Sequence, residues 1–238
     1  MKNTLTIADR EIRSFLTSPM AYVVMAVFLA LSGTFFSLYL SGTNYFDTSI
    51  VGFVQPGSIL LLLFCAVLTM RLLAEERKLG TLELLLTAPV RDAEIVLGKF
   101  LASLGILLLV LTLTLYYTLL LAVFGDPDLG PIGTGYLGLV LLGAAALAIG
   151  IFASSLTANQ ILAAVLAGGI LFGLWFVGSA ARFVPEAPGK VLAFVSLSYH
   201  FTDFTRGVID TRGIVYFANV TALFLFLATR SLETRRWR

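Results

Sequence analysis

Long apolar stretches without charge alternate with short polar stretches along this chain. Between residues 20 and 70 the only formally charged side chain is Asp47, and residues 100–125, 129–181 and 213–229 carry none. A helix that crosses the hydrocarbon of a bilayer needs about 20 mostly apolar residues. These stretches therefore hold two, one, two and one spans respectively. The pattern predicts six membrane-spanning helices, near residues 20–40, 56–73, 97–124, 135–155, 160–181 and 213–229.

Turn-forming residues separate the apolar stretches. Residues 41–47 are polar and rich in turn formers, residues 125–131 form a tight Gly/Pro/Asp loop, and residues 154–160 are a short Ser/Thr/Asn connection. Such clusters mark the ends of helices. Pro56 stands where the apolar pattern restarts, and proline is favoured in the first turn of a helix. The sequence therefore predicts that the second span begins at Pro56.

The distribution of Lys and Arg orients the spans. Twelve of the 16 fall on the side that carries both chain ends and the segment between spans two and three. The remaining four lie on the other side: Arg182, Lys190, Arg206 and Arg212. Cytoplasmic segments of membrane proteins carry an excess of Lys and Arg. Both termini are therefore expected in the cytoplasm, which agrees with an even number of spans.

A helical pattern precedes the first span. Apolar residues recur at helical spacing, namely Leu5, Ala8, Ile12, Phe15 and Leu16. Asp9, Arg10 and Arg13 occupy the other face, and Pro19 ends the pattern. A helix of this kind lies in the plane of the membrane interface. We expect an amphipathic interfacial helix over residues 4–18, with an ordinary juxtamembrane stub as the alternative.

The segment 74–92 is the longest on the cytoplasmic side. A charged extension of span two is expected to stop at Gly80, where a left-handed residue can end a helix. Thr81 can cap a short helix over residues 82–87, which Pro89 terminates. Four leucines of this short helix are apolar in a segment that charge assigns to the cytoplasm. They must pack on lipid headgroups, on the chain's own helices or on a partner protein.

Composition excludes most catalytic chemistry. The chain has one Cys, Cys65, and one His, His200, so neither a disulfide nor a Cys/His metal site is expected. The sequence contains no phosphate-binding loop. No activated nucleophile accompanies His200, which we interpret as a structural or interfacial residue. The net charge of +2 is too small to suggest nucleic acid. We expect no enzyme and no cofactor bound by the chain, and the uncharged spans disfavour an ion-coupled carrier.

Two weaker patterns leave alternatives open. Small residues recur at four-residue spacing in spans four and five: Ala146 and Gly150, Ala164 and Gly168, and Gly169 and Gly173. Such spacing lets helices approach closely, and packing within one subunit is favoured over a dimer seam. The loop 183–212 predicts two short helices on the outer face, either a lid over an exit path or a cap on the bundle.

Two stretches make the chain resemble a known family. Residues 73–90 read LAEERKLGTLELLLTAPV, and residues 199–210 read YHFTDFTRGVID, followed by a last span and SLETRRW over residues 231–237. In these features the chain resembles the permease subunits of ABC exporters of the type-2 class, and within it the gliding-motility type. The resemblance runs over almost the whole chain. It implies that residues 1–238 form one permease domain in the bacterial inner (plasma) membrane.

The resemblance also implies partners. A homodimer, or a pair with a related permease, would dock on separate ABC ATPase subunits that bind ATP and Mg and drive export along a path between spans one, two and five. The short helix would be the coupling helix that contacts the ATPase, through Gly80, Thr81, Leu82, Glu83, Leu84, Leu85 and Leu86. A second contact is expected at Thr157, Asn159 and Gln160. Membrane lipids and an accessory extracytoplasmic subunit complete the expected partners.

Other functional classes compete with this interpretation. The main alternative is a membrane scaffold that recruits a cytoplasmic partner without transport, and a stand-alone carrier and an intramembrane enzyme follow. Transport, or ATP hydrolysis stimulated by a substrate, separates the transporter from the scaffold. The apolar spans suit lipids, lipid-linked glycans, amphipathic drugs or peptides equally well as substrates.

Overall fold

The fold consists of helices in every part of the chain that the structure describes. The computed structural model describes residues 2–42, 51–80, 90–124 and 128–236, and no strand occurs among them. The helices are α1 (Lys2–Thr17), α2 (Pro19–Gly42), α3 (Val51–Thr69), α4 (Ala74–Lys78), α5 (Asp92–Phe124), α6 (Leu129–Leu156), α7 (Gln160–Ala180), α8 (Glu186–Val195), α9 (Leu197–Thr205) and α10 (Thr211–Arg236), with a 3-10 turn at Ala181–Phe183. The expected all-α fold class is confirmed.

Within the described ranges, six helical segments are long and apolar enough to cross a membrane, which confirms the predicted number of spans. They are α2, the segment Gly52–Lys78 that contains α3 and α4, and α5, α6, α7 and α10. The predicted start of the second span at Pro56 is wrong, because Pro56 lies inside α3. Tertiary packing holds the turn before the proline. The Phe53 ring lies 5.5 Å from that of Phe36 and 5.4 Å from that of Tyr117.

The bundle is built around α6. This helix packs on α3, α5, α7, α9 and α10, and 72% of its apolar window is buried, against 22% for α2 and for α7. Small residues on α6 allow the neighbouring helices to approach it closely. A Cβ added to Gly150 would lie 2.0 Å from Thr69 Oγ1, and one added to Gly143 would lie 2.4 Å from Leu107 Cδ2. The small-residue pattern of span four therefore serves packing within the subunit, as expected.

The small-residue pattern of α7 has the opposite environment. A Cβ added to Gly168, Gly169 or Gly173 would meet no described atom within 4 Å. The expected packing within one subunit is therefore wrong for these three glycines. They form an open face on α7, because α6 covers a different side of that helix.

Alternation of the spans gives the bundle two distinct ends. One end, called here the α1 end, carries α1, α4, the start of α5, the α6–α7 turn and the end of α10. The other, called the α9 end, carries α8, α9 and the start of α10. The first and last described residues thus lie at the same end. This arrangement separates the predicted partner contacts from the predicted outer loop.

The amphipathic helix α1 forms as predicted and docks on α5. Ile7, Ala8 and Phe15 are buried, whereas Leu5 is 63% exposed. The predicted apolar face was wrong at Leu5. The contact with α5 includes Gly98, where an added Cβ would lie 2.7 Å from Ile7 Cγ2. The absence of a side chain at Gly98 therefore lets Ile7 pack closely against α5.

The two short helices predicted between spans five and six are present as α8 and α9. In α9, Leu197, Phe201 and Phe204 are fully buried against the bundle, where α9 packs on α6 and α7. In α8, Val191 and Phe194 remain exposed. Of the two alternatives for this loop, the burial of α9 fits a cap that is built into the bundle.

Candidate functional site

The helix that continues span two ends where the sequence predicts. The α4 helix closes with Leu79 N–H donating to the Glu75 carbonyl at 2.9 Å, and Gly80 follows with φ of +72°. Glycine adopts this left-handed conformation without the steric cost of a Cβ. Gly80 therefore turns the chain out of the helix. The predicted contact residues that follow lie outside the described residues: Thr81, Leu82, Glu83, Leu84, Leu85 and Leu86.

A buried serine on α6 fixes the turn between α3 and α4. Ser154 Oγ accepts from the backbone N–H groups of Leu73 and Ala74 at 3.1 and 3.0 Å, and it donates to the Met70 carbonyl at 3.1 Å. These amides lie where the helix is interrupted, so they lack a regular helical partner. One hydroxyl thus satisfies three buried backbone groups and fastens α4 to the end of α6.

The second predicted contact region is the tight turn between α6 and α7. Asn159 caps α7, since its Oδ1 accepts from the Ile161 and Leu162 N–H groups at 2.9 and 3.4 Å. Thr157 Oγ1 accepts from the Asn159 N–H at 3.1 Å, and Gln160 is the first residue of α7. Both polar side chains of the turn therefore have a structural role. Their contact with a partner stays a prediction.

The structure places the end of α4, just before the first predicted contact region, beside the α6–α7 turn. Lys78, two residues before Gly80, and residues 157–161 line one open pocket of about 600 Å³. Arg77 Nη1 donates to the Leu156 carbonyl at 3.1 Å and closes the other side of this junction. The chain therefore leaves α4 for the segment 81–89 directly beside the α6–α7 turn.

A buried ion cluster lies behind this surface. The Lys99 side chain on α5 is 1% exposed, and its Nζ lies 2.9 Å from Glu11 Oε1 on α1 and 2.8 Å from Glu76 Oε1 on α4. Arg10 on α1 approaches the same two carboxylates at 3.3 and 3.5 Å. Two cations and two anions thus balance one another. The cluster joins three helices at a single lysine.

Residues of this cluster lie on both sides of the segment 81–89 in the sequence. Glu76 lies just before the segment 81–89 and Lys99 lies shortly after it. Their contact fixes the two flanks of the segment relative to each other, and Glu11 fastens α1 to both. A further link comes from Glu94, whose Oε2 accepts from Asn3 Nδ2 at 3.2 Å. The cluster therefore joins α1, α4 and α5 on the two sides of this segment.

Sequence reasoning missed this cluster. It treated Lys99 as a charge at the end of a span, although α5 begins at Asp92 and places Lys99 two turns inside the helix. The sequence contains a feature that locates Lys99 inside the helix. Asp92 suits a helix start, and a helix that starts there necessarily carries Lys99 within its length.

The only histidine lies at the opposite end and has the geometry of a packed ring. His200 is buried, its Nε2 lies 3.0 Å from the Phe194 carbonyl oxygen, and its ring stacks on Tyr216 with 4.0 Å between centroids. A carbonyl oxygen only accepts, so Nε2 carries the proton. The described ranges contain no group of three or more His, Cys, Asp or Glu side chains suited to a metal ion.

Comparison with known families agrees with this architecture. A family model described as "ABC-2 family transporter protein" matches residues 5–206, from α1 through α9. No curated protein matches the sequence. The match covers most of the chain and includes the expected coupling segment, while the narrower resemblance to the gliding-motility type stays a prediction. Together with the six membrane-spanning helices, this match shows that the chain belongs to the ABC-2 family transporter proteins, as a multi-pass membrane component of an ABC transporter.

Proposed function

We propose that this chain is the permease subunit of an ATP-driven exporter and that its α1 end docks a separate ABC ATPase. The observation that carries the proposal is that the described residues leading into the segment 81–89 lie beside the second expected contact region. Lys78 leads into the segment 81–89 and lines one pocket with residues 157–161 of the α6–α7 turn. A partner that binds the segment 81–89 thus meets the turn as well.

Charge supports the orientation that this docking requires. Twelve of the 16 Lys and Arg residues belong to the α1 end, and cytoplasmic segments attract such residues. Both termini would then face the cytoplasm, where the ATPase finds ATP and Mg. The partner supplies the nucleotide chemistry, and this chain supplies the surface and the membrane path.

The ion cluster suggests how the ATPase moves the bundle. Closure of the ATPase on ATP would displace the segment 81–89, whose described flanks are Gly80 and the start of α5. Because Lys99 binds Glu11 and Glu76 together, α1, α4 and α5 follow as one unit. The bundle would then exchange between inward-open and outward-open arrangements, each stabilised by its own packing.

The open face of α7 supports a second copy. A Cβ added to Gly168, Gly169 or Gly173 would meet no described atom within 4 Å, and small residues at this spacing allow close helix contact in a membrane. The α2 helix is as little buried as α7. We propose that two copies, or this chain and a related permease, face each other across α2, α3 and α7 and enclose the export path.

The test is purification of the tagged chain from its native membrane, with Leu84→Asp in the segment 81–89 as the disruptive variant. Val191→Asp is the matched control, because Val191 is an exposed apolar residue at the α9 end. We expect an ATPase with a phosphate-binding loop to co-purify with the wild type and with Val191→Asp, and to be lost from Leu84→Asp.

ATP hydrolysis by the purified assembly separates the transporter from a scaffold. In a transporter, hydrolysis depends on the permease and falls in Leu84→Asp when the subunits are mixed at equal concentration. Undiminished binding and hydrolysis by Leu84→Asp would remove the coupling role. Hydrolysis that is the same with and without the permease would favour a scaffold that only recruits the ATPase.

A further inference from the structure

A polar pocket between α1 and the α3–α4 turn lies beside the ion cluster and is not explained by it. The pocket has a volume of about 450 Å³, within the usual range for small-molecule sites, and Ser14, Ser18, Arg71 and Glu75 contribute to its lining. Ser18, the residue between α1 and α2, is one of the lining residues, so the pocket lies beside the junction of these two helices. The pocket therefore opens at the level where the first span begins.

Arg71 is held in this pocket without an anionic partner. Its Nη1 donates to Ser18 Oγ at 3.2 Å, and its guanidinium carbon lies 4.3 Å from the centroid of the Phe15 ring. No carboxylate of the described chain forms an ion pair with it, although Glu75 is one helical turn away. A guanidinium that stacks on an aromatic ring and has unused N–H donors is well suited to bind phosphate.

Glu75 gives the pocket a second, opposite charge. Its side chain is half-buried and has no ion pair among the described residues, and the other lining charges neutralise one another in the Lys99 cluster. The pocket thus offers one positive and one negative side chain, four residues apart in the sequence. A ligand with a phosphate and a nearby amine complements both.

An apolar groove lies deeper along α2 and α3 than this pocket, and the two cavities have no lining residue in common. It lies between α2 and α3, has a volume of about 160 Å³ and is lined almost entirely by carbon, with Val23, Val27, Leu63 and Val67 among its residues. Leu63 and Val67 lie one turn apart on α3, and Arg71 follows four residues later, in the turn after the end of α3 at Thr69. The groove therefore ends four residues before Arg71.

We propose that the pocket and the groove together bind an amine-bearing glycerophospholipid of the phosphatidylethanolamine type. Its phosphate lies on Arg71, its ammonium faces Glu75, and an acyl chain occupies the α2–α3 groove. The combination of charged pocket and apolar groove favours a lipid over a free phosphate ester, because a free ester leaves the groove empty. Hydrogen bonding distinguishes the primary ammonium from the quaternary ammonium of choline, which has no N–H to donate to Glu75.

Native mass spectrometry of the purified protein tests this site. Protein in detergent is given phosphatidylethanolamine, phosphatidylcholine or phosphatidylglycerol, and the retained lipid is measured for the wild type, Arg71→Gln and Glu75→Gln. Arg13→Gln is the matched control, because Arg13 is an exposed arginine on α1 that pairs with Asp9. We expect Arg71→Gln to lose about tenfold in retention of phosphatidylethanolamine, because one charge-assisted hydrogen bond is lost. Arg13→Gln should retain the lipid as well as the wild type does.

Glu75→Gln should retain the lipid but lose the preference for phosphatidylethanolamine over phosphatidylcholine. Val67→Phe leaves the charges intact and fills the groove, so it should weaken lipid binding and leave glycerophosphoethanolamine unaffected. Its melting temperature, with that of Arg71→Gln, shows whether the variants are folded. Equal lipid retention by folded Arg71→Gln and wild type overturns the proposal. Binding of inorganic phosphate or glycerophosphoethanolamine as tightly as the lipid overturns the lipid assignment.

Discussion

The two ends of the bundle are stabilised by different chemistry. At the α1 end, Lys99 binds one carboxylate on α1 and another on α4, and a serine hydroxyl supports the adjacent turn. At the α9 end, His200 stacks on Tyr216, and two serine hydroxyls, those of Ser196 and Ser198, donate to the Trp175 carbonyl. Charges join the helices at one end, and rings and neutral hydrogen bonds join them at the other.

This difference indicates which end can rearrange. A lysine bound to two carboxylates can keep one of them while the helix that carries the other moves. Stacked rings and close-packed side chains have few alternative arrangements of similar energy. We therefore expect the α1 end, where we propose that the ATPase docks, to rearrange more readily than the α9 end.

The largest effect on stability is expected for Lys99→Met. The substitution removes the buried cation that Glu11 and Glu76 share and leaves only the exposed Arg10 beside their mostly buried carboxylates. Removing one partner of a buried ion pair costs on the order of 3 kcal/mol or more. The free energy of unfolding in mixed micelles, followed by tryptophan fluorescence, should fall by that amount.

Two further variants sharpen this result. Arg13→Met removes an exposed ion pair with Asp9 and should change the free energy of unfolding by less than about 1 kcal/mol. Combining Lys99→Met with Glu11→Gln and Glu76→Gln removes the uncompensated anions and should recover part of the loss. A Lys99→Met protein as stable as Arg13→Met would contradict the role of the cluster.

An intermediate effect is expected when matched serines at the two ends are changed to alanine. Ser154→Ala removes the acceptor of two buried amides and should lower the free energy of unfolding by about 2 kcal/mol. Ser198→Ala removes one bond to the Trp175 carbonyl, which still accepts from Ser196, and should cost less than about 1 kcal/mol. Equilibrium unfolding of both variants checks the order, and a reversed order would argue against Ser154 as the support of the turn.

A smaller effect than that of Ser154→Ala is expected for His200→Phe. The ring can still stack on Tyr216, but the bond from Nε2 to the Phe194 carbonyl is lost, at a cost of about 1 kcal/mol. His200→Ala also loses the stacked ring and should be clearly less stable than His200→Phe. Equal stability of the two variants in thermal unfolding would show that ring packing does not hold the α9 end.

The spans were predictable because lipid imposes its constraint on each segment separately. A helix in hydrocarbon must be apolar along its length whatever its neighbours are, so gaps in the charge pattern located all six. The end of α4 at Gly80 was predictable for a similar reason. Its left-handed backbone is a local requirement that one residue type satisfies best.

Features that depend on distant residues could not be predicted in this way. Lys99 meets Glu11 across 88 positions of sequence, and nothing local distinguishes it from a lysine at a membrane boundary. Gly150 and Gly168 occupy the same kind of four-residue pattern, yet one touches Thr69 and the other faces open space. The pattern records which residues are small, and only the fold determines what approaches them.

The length of α5 links the ion cluster to the far side of the membrane. Its 33 residues span about 50 Å, whereas the hydrocarbon is about 30 Å thick. The helix contains no proline, so it has no built-in kink. A tilt of about 10° about one end displaces the other by roughly 9 Å. The helix that anchors Lys99 therefore transmits a tilt across the bilayer to Phe124, an exposed residue outside the packed helices α8 and α9.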